Sequence, residues 1–138
     1  MSTNKIYVNN HHVPQLISNV VYWASDRNII EGATPQAQFS KLLEEVIELY
    51  ATLHCEQGSE EITENIVNLV LGLNNKGKIK SASDDTPIDD IGDCMVVLAI
   101  IAEQHGLTIS NCLEHAYNDI KDRKGKMIDG VFVKESEL

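Results

Sequence analysis

Apolar residues recur at helical spacing along five stretches of this chain and then switch to strict alternation near its carboxyl end. Leu16, Ile17, Val20, Val21, Trp23 and Ala24 predict a first helix over about 14–29, broken near Gly32. Thr34 followed by Pro35 reads as a helix start, because proline at the first helical position gives up an N–H that has no partner there. Phe39, Leu42, Leu43, Val46, Leu49 and Leu53 form the stripe of that second helix, which ends at Gln57-Gly58. Ser59 is the expected cap of a third, to about residue 74, carried by Ile62, Ile66, Leu69, Val70 and Leu73. Thr86-Pro87 opens a fourth, closed by Gly106 and apolar almost all round between Cys94 and Ala102, which predicts a place at the centre of a bundle. A fifth covers about 110–124. Met127 to Val133 then alternates about Asp129-Gly130, the strongest short hairpin signal. The fold class expected is all-α: a four- to five-helix bundle with a small C-terminal β-hairpin, forming one domain over 1–138.

Composition narrows the classes. With 11 basic and 21 acidic residues the net charge is −10, so a nucleic-acid polymer or an anionic membrane surface is an unfavourable partner. No apolar run reaches the ~20 residues of a membrane span, and Met1 to Lys5 is not followed by a signal-peptide core; a cytoplasmic protein is expected. Cys55, Cys94 and Cys112 are odd in number, form no CxxC pair and read as buried reduced thiols. The stretch 74–86 has no periodicity and holds Lys76, Lys78 and Lys80. It reads as a mobile loop.

The chemistry gathers on acidic residues inside apolar registers. Glu45 and Glu48 are three apart on the second helix and share a face. Asp90 and Asp93 repeat the spacing on the fourth, with Gly92 between them available for close helix packing. Four carboxylates beside core positions repel one another, and a hard divalent cation relieves that repulsion. All-oxygen ligation points to magnesium, with manganese a possible substitute, rather than zinc. Glu44 adjoins the pair but points about a quarter-turn away. The histidines form no HxxxH or CxxH pattern, and none follows an acidic residue by three, so a di-iron carboxylate bundle does not fit.

The run Leu42-Leu43-Glu44-Glu45-Val46-Ile47-Glu48-Leu49, followed by Asp89-Asp90-Ile91-Gly92-Asp93, resembles the signature of the MazG-like nucleoside triphosphate pyrophosphohydrolases. These belong to the all-α NTP pyrophosphatase superfamily, with the all-α dUTPases and dCTP pyrophosphatases. Their motif is Glu-x-x-Glu on one helix and Glu-x-x-Asp on a later one. Glu45, Glu48 and Asp93 match it, while Asp90 stands where the family has Glu and the intervening segment is long. The likeness covers about 35–125, and the tail over about 126–134 is similar to that of phage-type members.

What the resemblance implies is magnesium-dependent hydrolysis of a nucleoside triphosphate between its α and β phosphates, giving monophosphate and pyrophosphate. Glu45, Glu48, Asp90 and Asp93 would bind the metal and carry the catalysis. Asn118 and Lys121 match the family's substrate-holding Asn and Lys by type and spacing. Lys41, Gln38 and Trp23 are further substrate-binding candidates: Lys41 also fits an intrahelical pair with Glu45, and Trp23 also fits a core position. Lys121, Arg123, Lys124 and Lys126 gather at the end of the fifth helix, where they also complement its dipole. The family self-associates, so a homo-oligomer is expected, tetramer before dimer. The alternative is a non-catalytic nucleotide- or metal-binding or regulatory module of the same fold.

Overall fold

The computed structural model describes residues 13–138; Met1 to Lys5, His11 and His12 lie outside the described residues. Six helices are followed by a two-stranded antiparallel sheet: α1 (Val13–Asp26), α2 (Ile29–Gly32), α3 (Pro35–Leu53), α4 (Ser59–Asn75), α5 (Ile88–Gln104), α6 (Ile109–Ile120), β1 (Gly125–Ile128) and β2 (Val131–Lys134), with a 3₁₀ turn at Glu135–Glu137. The described chain divides into two units. One joins the segment ending at Thr34 to Thr86–Leu138, and the other is Pro35–Asp85.

In the first unit α1 packs on α6 and α2, α6 on α5, and α2 on β2. The first helix ends at Asp26, short of the expected 29, and a single turn, α2, occupies the stretch read as its break; between them Asn28 takes the left-handed conformation (φ 58°) and interrupts the α-helical run. Asn tolerates that region better than most residues with a Cβ. α5 starts at Ile88 with Pro87 as its cap, one residue later than the Thr86-Pro87 signal implied. It ends as Gly106 predicts: Gly106 (φ 70°) donates its N–H to the Glu103 carbonyl and Leu107 donates to Ala102, both 2.9 Å. This is the paired closure of a Schellman motif. α6 opens on a reciprocal capping box, in which Thr108 Oγ1 accepts from the Asn111 N–H (3.0 Å) and Asn111 Oδ1 accepts from the Thr108 N–H (3.4 Å). The hairpin pairs Gly125 with Lys134 and Ile128 with Val131. Asp129 (φ 50°) and Gly130 (φ 80°) make its two-residue turn.

The core of this unit is small. Leu16, Ala24, Ala102 and Ser110 are its buried residues among those described. α5 is apolar on nearly every side, yet Val96, Val97 and Ile100 remain more than half exposed. The central position expected for this helix is therefore not supplied by its neighbours in the unit. A Cβ at Gly92 meets nothing within 4 Å, so among the described residues of this unit no helix packs closely there.

The second unit is a helical hairpin, α3 against α4. Pro35 occupies the first helical position as expected, whereas the cap of α4 is Gly58, with Ser59 just inside. The half-buried residues Tyr50, Ala51, His54, Gln57, Ile62, Asn65 and Ile66 flank the turn. Gln57 Oε1 accepts from Asn65 Nδ2 (3.0 Å) and from the Tyr50 hydroxyl (3.4 Å), and the Tyr50 and His54 rings stack at 4.1 Å. Beyond the turn, Phe39, Leu42, Leu43 and Val46 on α3 and Leu69, Val70 and Leu73 on α4 stay exposed. The segment 78–87 is without regular secondary structure. All three cysteines are free. Cys55 and Cys94 are exposed and Cys112 is half-buried, so only the reduced state read from the sequence is seen and not the burial.

Candidate functional site

The α3 face carries the densest arrangement of charge. Successive helical residues turn about 100°, so positions 41, 44, 45 and 48 fall within an arc of about 100° on one side. Lys41 Nζ sits 3.1 Å from Glu44 Oε2 and 3.1 Å from Glu45 Oε1. Burial acts to lower the Lys41 pKa, but the hydrogen bonds it donates to Glu45 and Glu44, with their negative charges, together raise it above the ordinary 10.5. Glu48 is exposed on the same face and forms no ion pair among the described residues, while its carbonyl accepts from Thr52 Oγ1 (3.2 Å). Gln38 is exposed near the start of the helix.

Asp90 and Asp93 lie on the first turns of α5, both exposed. Each pair is thus held at one-turn spacing by its own helix, Glu45 with Glu48 and Asp90 with Asp93, in different units. Among the described residues no group of three or more His, Cys, Asp or Glu side chains is gathered for a metal. The four candidate side chains are all carboxylates, the donor type magnesium takes, and one of them, Glu45, is paired with the Lys41 ammonium.

Asn118 and Lys121 are exposed at the end of α6. Trp23 belongs to a tighter arrangement. Its ring meets Phe132 edge-on (centroids 5.8 Å apart, 70°) and carries the Arg27 guanidinium 4.8 Å above it, while its buried Nε1 has no hydrogen-bond partner among the described residues. Arg27 also donates from Nε to the Arg123 carbonyl (2.6 Å) and from Nη2 to the Lys121 carbonyl (3.2 Å), so it ties α1 to the end of α6. Sequence reasoning passed over Arg27. The signal was there in its spacing of four from the sole tryptophan and in its being one of two arginines in the chain. Asp26, Arg27, Asn28, Lys124, Gly125, Lys126 and Met127 line an open groove of about 770 Å³ beside this clasp.

No single described helix is long and apolar enough to cross a membrane; α5 and α6 together reach that length and composition but are bent by 99° at their junction. No family model matches the chain. No solved structure matches it either. It is similar to an uncharacterised 18.2 kDa protein from the rep-hol intergenic region of Haemophilus phage HP1 (strain HP1c1), 37% identical over 91 residues. The match takes in 66% of this chain and 40% of the phage protein's length.

Proposed function

We propose that this protein is a magnesium-dependent nucleoside triphosphate pyrophosphohydrolase of the MazG-like, phage type. The observation that carries the reading is the repeated carboxylate pair, Glu45 with Glu48 on α3 and Asp90 with Asp93 on α5, each one helical turn apart on an exposed face. The similarity to a phage protein supports the phage-type assignment. The water oxygen adds to the α-phosphorus, the bond to the bridging oxygen breaks, and nucleoside monophosphate and pyrophosphate leave. Magnesium, when bound, neutralises phosphate charge and lowers the pKa of a water. Glu45 with Glu48 on α3, and Asp90 with Asp93 on α5, are the ligands this reading assigns to it, each pair within its own unit. Asn118 and Lys121, exposed and three residues apart, offer an amide and an ammonium to the substrate, and Gln38 offers an amide to a base edge. Trp23 contributes to a base wall only if its clasp with Arg27 opens. The cytoplasm, which holds both triphosphates and magnesium, is the compartment this chemistry needs.

The four- to five-helix bundle is completed, on this reading, by self-association. Leu42, Leu43 and Val46 on α3, and in the other unit Val96, Val97 and Ile100 on α5, are between 43% and 58% exposed, so each helix keeps apolar residues that its own unit leaves uncovered. Light scattering should give a tetramer or dimer, and a monomer at micromolar concentration would remove this part.

The deciding experiment is product analysis on a panel of ribo- and deoxynucleoside triphosphates, with magnesium and with chelator. Magnesium-dependent release of pyrophosphate and monophosphate is expected. Orthophosphate alone would refute the bond assignment. No turnover from a protein that binds metal would replace the enzyme by a non-catalytic nucleotide- or metal-binding module.

A further inference from the structure

Lys41 stands apart from the other basic residues. Over 35–75 the sequence has seven acidic residues (Glu44, Glu45, Glu48, Glu56, Glu60, Glu61 and Glu64) and one lysine or arginine, which is Lys41. That lone cation bridges two carboxylates of α3 at 3.1 Å each, and one of them, Glu45, is a proposed metal ligand. We propose that Lys41 is the resident counter-cation of the α3 carboxylates, displaced from Glu45 when a divalent metal binds, and that it thereby sets the affinity of the site. This rests on the reading that Glu45 and Glu48 take magnesium.

The physical argument is one of exchange. While the ammonium holds Glu45 Oε1, one of the ligand's two oxygens is engaged and a positive charge lies within a few ångströms of the place a metal must take. A divalent ion meets both the competition and the repulsion. Because Lys41 and the carboxylates are all about half exposed, the exchange is not blocked by packing, and the long side chain can swing clear without moving the helix. Glu44, the second partner, lies on the Lys41 side of the ligand pair and keeps the released ammonium close to the site. There it can meet an oxygen of the substrate's phosphates, so one side chain weakens metal binding and strengthens nucleotide binding.

The test measures Mn²⁺ bound to the full chain by the loss of its free-ion electron paramagnetic resonance signal, for wild type, Lys41→Met, Lys41→Arg and Glu45→Gln. Lys41→Met should bind Mn²⁺ about three- to tenfold more tightly, the effect of removing one neighbouring unit charge in a solvent-exposed setting. Lys41→Arg, which keeps the charge, should stay near wild type, and Glu45→Gln should bind more weakly. Thermal melts of the metal-free proteins establish that all four are folded. If wild type and Glu45→Gln bind alike, or neither binds, the metal reading itself fails. If Glu45→Gln loses affinity while Lys41→Met binds no more tightly than wild type, the metal reading stands and the counter-cation role is overturned.

Discussion

The clasp formed by α1, the end of α6 and the hairpin differs in kind from the α3–α4 hairpin. In the clasp, residues far apart in sequence fix one another: Arg27 reaches the carbonyls of Lys121 and Arg123, and Trp23 meets Phe132. On α3 the charged contacts run between residues three and four apart, and the apolar stripe remains open. The first arrangement spends its side chains on holding a shape. The second leaves its carboxylates and apolar face free for something outside the unit. Substitutions in the two regions should therefore separate, with stability lost in one and chemistry in the other.

The largest effect expected is on α3. Glu48→Gln keeps the size and helix propensity of the side chain and removes the charge of a proposed metal ligand, so the proposed turnover should fall about 10²–10³-fold, ~3–4 kcal/mol in the barrier. Its denaturation midpoint should stay at the wild-type value, since Glu48 is exposed and has no ion-pair partner among the described residues. Pyrophosphate release beside a denaturant titration checks both halves, and retained activity in a folded protein would remove Glu48 from the site. Gly125→Ala should invert the pattern. A Cβ there overlaps the Val133 carbonyl and lies 2.7 Å from Phe132 Cζ, so the hairpin must shift at a cost of about 3 kcal/mol. Chemical denaturation reads this directly. Mn²⁺ affinity at Glu45 and Glu48 should be unchanged wherever the variant is folded.

Arg27→Met is the finer probe of the clasp. It removes three hydrogen bonds to carbonyls, those of Trp23, Lys121 and Arg123, and the cation over Trp23 while keeping the aliphatic stem, and should cost about 1–3 kcal/mol in the same titration. The quenching of Trp23 fluorescence by iodide should increase as its ring loses cover. An unchanged midpoint would mean that the clasp follows from the packing of α1 on α6 and does not hold it.

The same contrast explains what could be read from the sequence. Pro35, Gly106 and Asp129-Gly130 act within a few residues, so they marked the start of α3, the end of α5 and the hairpin turn closely. The spacing of Glu45 with Glu48 and of Asp90 with Asp93 was legible for the same reason, because a helix alone brings each pair together. The break at Asn28 was not, since its side chain permits a left-handed backbone without demanding one. For Arg27 only the spacing of four from Trp23 was legible, since its other two partners lie 94 and 96 residues away, beyond any periodicity. The open faces of α5 escaped as well. Apolar periodicity says that a helix will be covered and is silent on whether its own chain does the covering.

The smallest effect returns to α3 and asks how much of its charge is structural. The folded-state pKa of Lys41 lies above 10.5, so its pairing with Glu44 and Glu45 adds stability that is complete below pH 10.5 and is lost as pH rises through the folded value. Both partners are about half exposed, which limits the gain to a few tenths of a kcal/mol. In metal-free buffer, wild type should therefore exceed Lys41→Met by that amount at pH 8 and converge with it once the pH passes the raised folded-state value of Lys41. Urea titrations of both proteins across this range test the convergence. A constant difference would show that the stem of Lys41 stabilises α3 by packing, and a difference well above 1 kcal/mol would place the pair in a far less solvated setting than its exposure allows. The predicted small, pH-limited gain leaves the α3 carboxylates nearly free of structural duty, as residues that exchange one cation for another should be.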